Sequence, residues 1–420
     1  MLELLPDTAG IDAGVLSLGG IPASELVAAY GSPLVVYDEV TLRARARAYR
    51  ASAPHARVVY GTKAFPNVAL MRILAEEGIG ADVSTLGELR FAQEAGIEGD
   101  ALVVHGNNKS DEELAASAAA GARGVVDSLE EVGRARAAGA ARTLIRVTPG
   151  VEADTHEKIR TGHHGSKFGL TPDDSREALR LAPGTEGLHM HIGSGLRDLG
   201  AARVAVEWIA AFAARVRAEL GWELRTLDLG GGLGVATSPG EHELSIGEFA
   251  GGLVAELERA CAQERLPLPA LILEPGRSLT ARAGVTLYTV GSVKTSADDT
   301  AYVAVDGGMS DNPRPALYGA RYTALIADRA GEPPARAYTI VGKHCESGDL
   351  LIEAVDLPEP RRGDILAVPA TGAYTLAMSS TYNAVPRPAA VLVHAGEATV
   401  IRRRETIDDL LELEGAQLRA

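Results

Sequence analysis

Cysteine is scarce in this chain. Cys261 and Cys345 are the only two in 420 residues, far apart and in no metal-ligand spacing. That excludes a disulfide framework and points to a reducing compartment. An excess of basic residues is also missing: 41 Lys and Arg stand against 56 Asp and Glu, a formal net charge of −15. Recognition of a nucleic-acid backbone needs the opposite balance, so no nucleic-acid partner is expected. No apolar stretch approaches the length of a membrane span; even the long helix candidate from Ala201 to Leu220 carries Arg203, Glu207, Arg215, Arg217 and Glu219. The opening segment MLELLPDTAG lacks a basic stretch followed by an apolar core, so no signal peptide is expected. Internal repeats and low-complexity linkers are missing too. These absences predict a soluble, cytoplasmic protein with no membrane partner. Lysine is rare beside Ala, Gly and Arg, which reflects genome base composition more than function.

The chain does hold ample core-forming material, with 46% apolar residues, so it needs neither metals nor disulfides to fold. Eight short apolar runs recur: Arg57–Tyr60, Ile79–Val83, Ala101–His105, Gly124–Asp127, Thr143–Val147, Gly187–Ile192, Leu224–Leu229 and Ala270–Glu274. The gaps between them are long enough and rich enough in Ala, Leu, Glu and Arg for helices. Continuous apolar runs with helical crossovers mark parallel strands buried on both faces. Eight such units predict a closed (β/α)8, TIM-like barrel with its active site at the strand C-terminal ends. After Gly284 the texture changes. Val285–Val293, Thr300–Val305, Arg336–Val341, Asp364–Val368, Ala389–Val393 and Ala398–Arg402 read as strands separated by Gly, Pro and Asp, followed by a helical segment at Glu405–Glu414. That pattern predicts a C-terminal β-sandwich or small β-barrel domain. Leu34–Tyr37 is a strand without a helical crossover and is expected to join it. The expected division is a barrel over residues 38–284 and a discontinuous β-domain over 1–37 plus 285–420.

Several strand ends carry chemistry. Lys63 follows the first strand, where its amine can form a Schiff base with a carbonyl cofactor; a solvated loop lysine is the competing reading. Gly230-Gly231-Gly232 follows the seventh, where glycine backbone can hold a phosphate, or simply turn. Glu274-Pro275-Gly276-Arg277 closes the eighth. Its carboxylate can pair with a protonated pyridine nitrogen, and Arg277 offers a fork for phosphate or carboxylate; a structural ion pair is the alternative. His191 and Ser194 end the sixth, suited to stacking on a flat ring and to donating to a phosphate, whereas His189 reads as structural. In the C-terminal part, Cys345 lies in the polar run His344-Cys345-Glu346-Ser347-Gly348-Asp349, as a proton donor or a buried inert thiol. Arg314, Tyr318 and Tyr374 supply further donors for carboxylates and phosphates. The pair His163-His164 has no Asp, Glu or Cys companion at ligand spacing, so no metal is expected.

The ordered set is more specific than its members. YGTKAF around Lys63, HGNNKS at 105–110, HIGS at 191–194, LDLGGGLG at 227–234, EPGR at 274–277, RPALYGA at 314–320, CESGD at 345–349 and GAYTLAMSSTYN at 372–383 occur in sequence. Together they closely resemble the fold-type III pyridoxal-phosphate decarboxylases, which act on diaminopimelate, ornithine and arginine. RVTPGVEADTHEKIRTG at 146–162, SKFG at 166–169 and GKHCESGD at 342–349 resemble the diaminopimelate branch. The resemblance implies a barrel followed by a β-domain, a homodimer with shared active sites, and pyridoxal 5'-phosphate as cofactor. It implies that Lys63 binds that cofactor covalently, His191 stacks on its ring and Glu274 keeps its pyridine nitrogen protonated. Ser194, Gly231, Gly232, Gly276, Arg277 and Tyr374 would bind its phosphate, with Asp82 and Arg146 near the ring. Arg277, Arg314, Tyr318 and Tyr374 would serve the substrate, Glu346 its distal ammonium, and Cys345 proton delivery. Gly61, Phe65, Pro66, Gly195 and Thr381 depart from patterns common in relatives.

The leading expectation is decarboxylation of meso-2,6-diaminopimelate to L-lysine. Lysine, ornithine or a carrier-bound glutamyl group are alternative substrates. A non-catalytic pyridoxal-phosphate carrier is the alternative from another class, although it would have no use for the CESGD loop. A racemase of this fold tends to place Arg where Glu274 stands.

Overall fold

The computed structural model describes residues 2–149 and 167–414. His163, His164, Ser166 and most of the 146–162 motif lie outside the described residues. The chain divides into two compact units, one of residues Arg43–Gly234 and Glu243–Leu279, the other of Met1–Leu42, Val235–His242 and Thr280–Ala420. The divisions fall a few residues from the expected 38 and 284, and the second unit also takes Val235–His242.

The first unit is a closed barrel of eight parallel strands: β1 Arg57–Gly61, β2 Gly80–Val83, β3 Leu102–Val104, β4 Arg123–Val126, β5 Thr143–Arg146, β6 Gly187–His189, β7 Thr226–Asp228 and β8 Ala270–Leu273. Pairing of β8 with β1, Ile272 opposite Arg57, closes the ring. All eight expected runs are barrel strands, with ends that differ from the runs by at most three residues: the first strand extends one residue further, to Gly61, and the fourth begins one residue earlier, at Arg123. Helices follow the strands, among them Val68–Glu76, Leu86–Glu94, Asp111–Ala119, Leu129–Ala137, Pro172–Leu181, Gly200–Leu220 and Ile246–Glu264. Their starts are written locally. Thr85, Ser110, Ser128, Thr171 and Ser245 each accept a hydrogen bond from an N–H of the first turn. At Ser110 and Ser245, Glu113 and Glu248 return the bond to complete capping boxes. Val59, Val103, Val125, Leu144 and Ile272, from five strands, form one buried cluster. Gly187 is required where β6 meets β7, because a Cβ there would sit 1.7 Å from Thr226 O.

The second unit is a mixed sheet. Its hub is the twelve-residue strand Gly284–Thr295, which pairs antiparallel with Leu34–Asp38, Ile365–Pro369 and Ala301–Val305, with a register shift between Val290 and Val293. The path runs from Leu350–Leu357 through Arg336–Val341 and Ala301–Val305 to the hub, then through Leu34–Asp38 and Ala389–His394 to Glu397–Arg402. Leu34–Asp38 is buried along its whole length and parallel to Ala389–His394. Two apolar clusters flank the hub, one around Val285, Leu287 and Val391, the other around Tyr288, Val303 and Ile340. The expected strands are present. Leu350–Leu357, a three-stranded sheet from Gly10 to Pro22 and the helix Ala23–Tyr30 add to them. The expected C-terminal helix spans Ile407–Glu412.

Candidate active site

Lys63 sits in a single helical turn, Thr62–Ala64, directly after β1. The turn is pinned: Gly61 N–H donates to Pro275 O at 3.1 Å, and Thr62 Oγ1 donates to Asp82 O at 2.7 Å. The Lys63 ammonium lies 3.4 Å from Asp82 Oδ2; its side chain is 55% exposed while that of Asp82 is 1% exposed. The amine is therefore reachable from the barrel mouth and anchored by a buried acid. Burial pushes the Asp82 carboxyl upward, and Lys63 opposes that rise.

Beneath the mouth lies a carboxylate that sequence reading assigned, Glu274, amid partners it did not. His105 Nε2 is 2.5 Å from Glu274 Oε1 and 3.7 Å from Asp82 Oδ1. His189 Nε2 is 3.6 Å from Glu274 Oε2, and the two imidazoles meet edge to face at 4.7 Å. Burial alone would raise Glu274, but His105 and then His189 outweigh it and hold the carboxyl well below its ordinary range. Asp228, at the end of β7, moves the other way: burial and the neighbouring Glu274 charge push it well up. Two acids in one pocket are thus driven apart, Glu274 downward and Asp228 upward. His189 is pushed down to about 3, chiefly by burial. His191 keeps an exposed face, yet enough protein surrounds it, with Lys63 close by, to push it down to about 4.

His105, His189, Asp228 and Glu274 present donor atoms all within 4.8 Å of one another, a set that could be read as a metal centre. The distance between His105 and Glu274 speaks for a direct hydrogen bond between them instead. Two ligands of a tetrahedral ion at ~2.1 Å from the metal stand ~3.4 Å apart, whereas His105 and Glu274 approach to 2.5 Å.

Glycine loops rim the mouth. Gly232 has φ +122°, and a Cβ on it would lie 2.3 Å from Gly193 O; a Cβ on Gly231 would lie 2.3 Å from Glu274 O. Only glycine permits loops six, seven and eight to approach this closely. Leu196 N–H donates to Gly232 O at 2.8 Å, and Gly234 N–H to Leu196 O at 2.9 Å, lacing the sixth and seventh loops together. Ser194 is exposed beside them. Arg146, at the end of β5, lies 3.8 Å from Asp127 and over the Phe168 ring at 4.6 Å. This donor set suits a pyridoxal group: a reachable amine, a buried ionised acid, a glycine cradle, and Asp82 Oδ1 buried with no hydrogen-bond partner among the described residues.

The remaining predicted residues belong to the second unit. Cys345 is exposed, so the inert buried thiol is not what the fold presents. Its loop is built on Asp349, whose carboxylate accepts from the N–H groups of Met309 at 2.7 Å and His344 at 2.8 Å. Cys345 N–H donates to Asn383 Oδ1 at 3.0 Å, and Tyr382 Oη donates to Glu346 Oε2 at 3.4 Å. The Tyr-Asn pair ending GAYTLAMSSTYN thus holds the CESGD loop. Arg314 and Tyr318 open and close one short helix, with Tyr318 exposed and Arg314 Nε buried without a hydrogen-bond partner among the described residues. Tyr374 has φ +59° in the loop after Ile365–Pro369.

Residues 39–281 match the family described as pyridoxal-dependent decarboxylase, pyridoxal binding domain. The chain is similar to the diaminopimelate decarboxylase of Actinosynnema pretiosum subsp. auranticum, 47% identical over 96% of this chain and 93% of that one. It is 42% identical to the Mycobacterium tuberculosis diaminopimelate decarboxylase, over 99% of both chains. Among solved structures, diaminopimelate decarboxylase from M. jannaschii in complex with L-lysine superposes with a TM-score of 0.90 at 31% identity, covering 96% of this chain and 97% of that one. With an amine over a buried ionised acid at the mouth of an eight-stranded barrel, and likeness over nearly its whole length, this chain belongs to the pyridoxal-dependent decarboxylases.

Proposed function

We propose that this protein decarboxylates meso-2,6-diaminopimelate to L-lysine and carbon dioxide, the last step of lysine biosynthesis, as a cytoplasmic homodimer. The observation that carries the reaction class is Glu274, directly after β8 at the end of the barrel that bears Lys63 and held anionic by His105 and His189. Full-length likeness to diaminopimelate decarboxylases at 42–47% identity supports the substrate.

Pyridoxal phosphate, when bound, supplies a ring that takes up the electron pair left by a departing carboxylate. The chain's own residues have separate tasks. Lys63 would hold the cofactor through Nζ, with Asp82 fixing the amine's position. Glu274 would keep a proton on the pyridine nitrogen, which an anionic acid does and a neutral one does not. His191, neutral at physiological pH, would pack on the ring. Ser194, Gly231, Gly232, Gly276, Arg277 and Tyr374 would bind the phosphate, and Arg146 would lie near the ring. Arg277, Arg314 and Tyr318 suit a distal carboxylate and Glu346 a distal ammonium, a combination that ornithine, without a second carboxylate, does not need. Cys345 would deliver a proton to Cα, each copy of the chain lending its Cys345–Glu346 loop to the other.

The test is carbon dioxide release by the pyridoxal-phosphate-loaded protein from meso-diaminopimelate, its LL isomer, L-lysine, L-ornithine and L-arginine. Turnover of the meso compound with L-lysine as product is expected. Preference for any other substrate would reassign the pathway.

A further inference from the structure

The other end of the barrel, where the strands begin, holds a second cluster of charge. A cavity of about 570 Å³ is lined there by His55, Arg57, Arg123, Arg142, Glu186 and Arg225, each next to or opening a strand. Its cations outnumber its acids. Glu186 accepts from Arg123 Nε at 3.0 Å and from Arg142 Nε at 3.1 Å. Asp100 serves Arg57 at 2.5 Å and Arg142 at 3.4 Å. Among the described residues, Arg225 has only the carbonyls of Gly184 at 3.2 Å and Thr185 at 3.4 Å. Two carboxylates thus answer four guanidiniums.

Arg123 shows what is missing. It is 4% exposed, and its Nη1 has no hydrogen-bond partner among the described residues. A buried guanidinium donor without an acceptor is costly, and it leaves positive charge behind the cavity wall that an anion held by the more exposed Arg57, Arg142 and Arg225 would offset. Burial, with Arg142 and Arg57 alongside, also pushes the Arg123 pKa down, as expected of a site short of negative charge. Several planar forks converging on one space match the oxygens of a tetrahedral anion. The exposed Arg225 and His55 leave the cavity open to solvent.

We propose that this cavity is a binding site for a phosphate dianion, free or carried as a small phosphomonoester, on the barrel face opposite Lys63. The site is independent of the catalytic mouth and of the reaction proposed for it.

The experiment is isothermal titration of the pyridoxal-phosphate-loaded protein, its catalytic phosphate site already filled, with inorganic phosphate and with glycerol phosphate at constant ionic strength. Saturable binding is expected, weakened about tenfold or more in Arg142→Gln/Arg225→Gln, with visible absorbance and turnover unchanged. Should the double variant fail to fold, Arg225→Gln alone, at the exposed rim, is expected to weaken binding severalfold. Tighter binding of the ester identifies a phosphorylated metabolite as the ligand; equal binding identifies free phosphate. No saturable heat up to ~10 mM of either, or binding undiminished in the folded variants, would overturn the proposal.

Discussion

At the scale of single residues, the site works by pushing neighbouring ionisable groups in opposite directions. Lys63 is the residue whose loss is absolute: Lys63→Ala is expected to abolish both turnover and the visible absorbance of the bound cofactor, read by spectrophotometry and carbon dioxide release. Glu274→Gln is expected to keep cofactor binding yet lower kcat by about 100-fold or more, because a neutral amide cannot hold a proton on the pyridine nitrogen. Retained turnover in that variant would remove Glu274 from the mechanism. Both residues were legible in the sequence because each follows a barrel strand in a polar break. His105 and Asp228 were passed over although HGNNKS and LDLGGG contain them. The rule that strand ends face the site applies to them equally, and reading every strand end would have found both. What no pattern gives is that His105 bonds to Glu274 across the barrel, 169 residues away.

At the scale of elements, local chemistry does most of the specifying. The Ser or Thr preceding a helix, with Glu three residues on, sets where Asp111–Ala119 and Ile246–Glu264 begin. Ser110→Ala and Ser245→Ala are each expected to cost about 1 kcal/mol, additive in the double variant because the two caps stand on different helices, as urea unfolding would measure. The apolar runs identified the barrel strands for the same reason: a strand covered on both faces has no polar side to alternate with. Leu350–Leu357 escaped because its sequence, LLIEAVDL, mixes buried and exposed positions irregularly and so lacks a clean strand period. The N-terminal strands, two to four residues each, are too short for any period to register.

At the scale of the whole molecule, two expectations follow. If copies share their sites, mixing Lys63→Ala with Cys345→Ala protein and allowing exchange should restore about a quarter of wild-type activity, since half the dimers are mixed and each has one intact site. No recovery after verified exchange would place Cys345 in its own subunit's chemistry or outside it. The second concerns acid stability. His189 has a folded pKa of about 3 against an ordinary 6.5, because burial disfavours its cation. For a base depressed on folding, the stabilisation is complete above the unfolded pKa and is lost as pH falls from 6.5 towards 3, where the unfolded chain takes up the proton first. Glu274, held below its ordinary range, adds to that loss only below about pH 4.5. His189 therefore subtracts stability as pH falls from 6.5 to 4.5, against the opposite contribution of the raised Asp228 and Asp311 carboxyls, and His189→Gln should lack that loss, so its curve should slope down less steeply towards acid than the wild type's in denaturant titrations. An unchanged slope would assign the loss to other groups.

Sequence alone determined the kinds of elements and their order, because strand and helix periods, caps and glycine turns act over a few residues. It singled out the candidate reacting groups too, since Lys63, His191 and Glu274 each stand in a recognisable break after an apolar run. Tertiary structure alone decided the charge states and the pairings. Those depend on burial and on partners far apart in the chain: the Asp228 carboxyl pushed up beside a Glu274 held down, Leu34–Asp38 parallel to Ala389–His394, and four arginines from separate strand starts around one cavity. Desolvation and Coulomb energy depend on distances in space, and a linear pattern carries only distances along the chain.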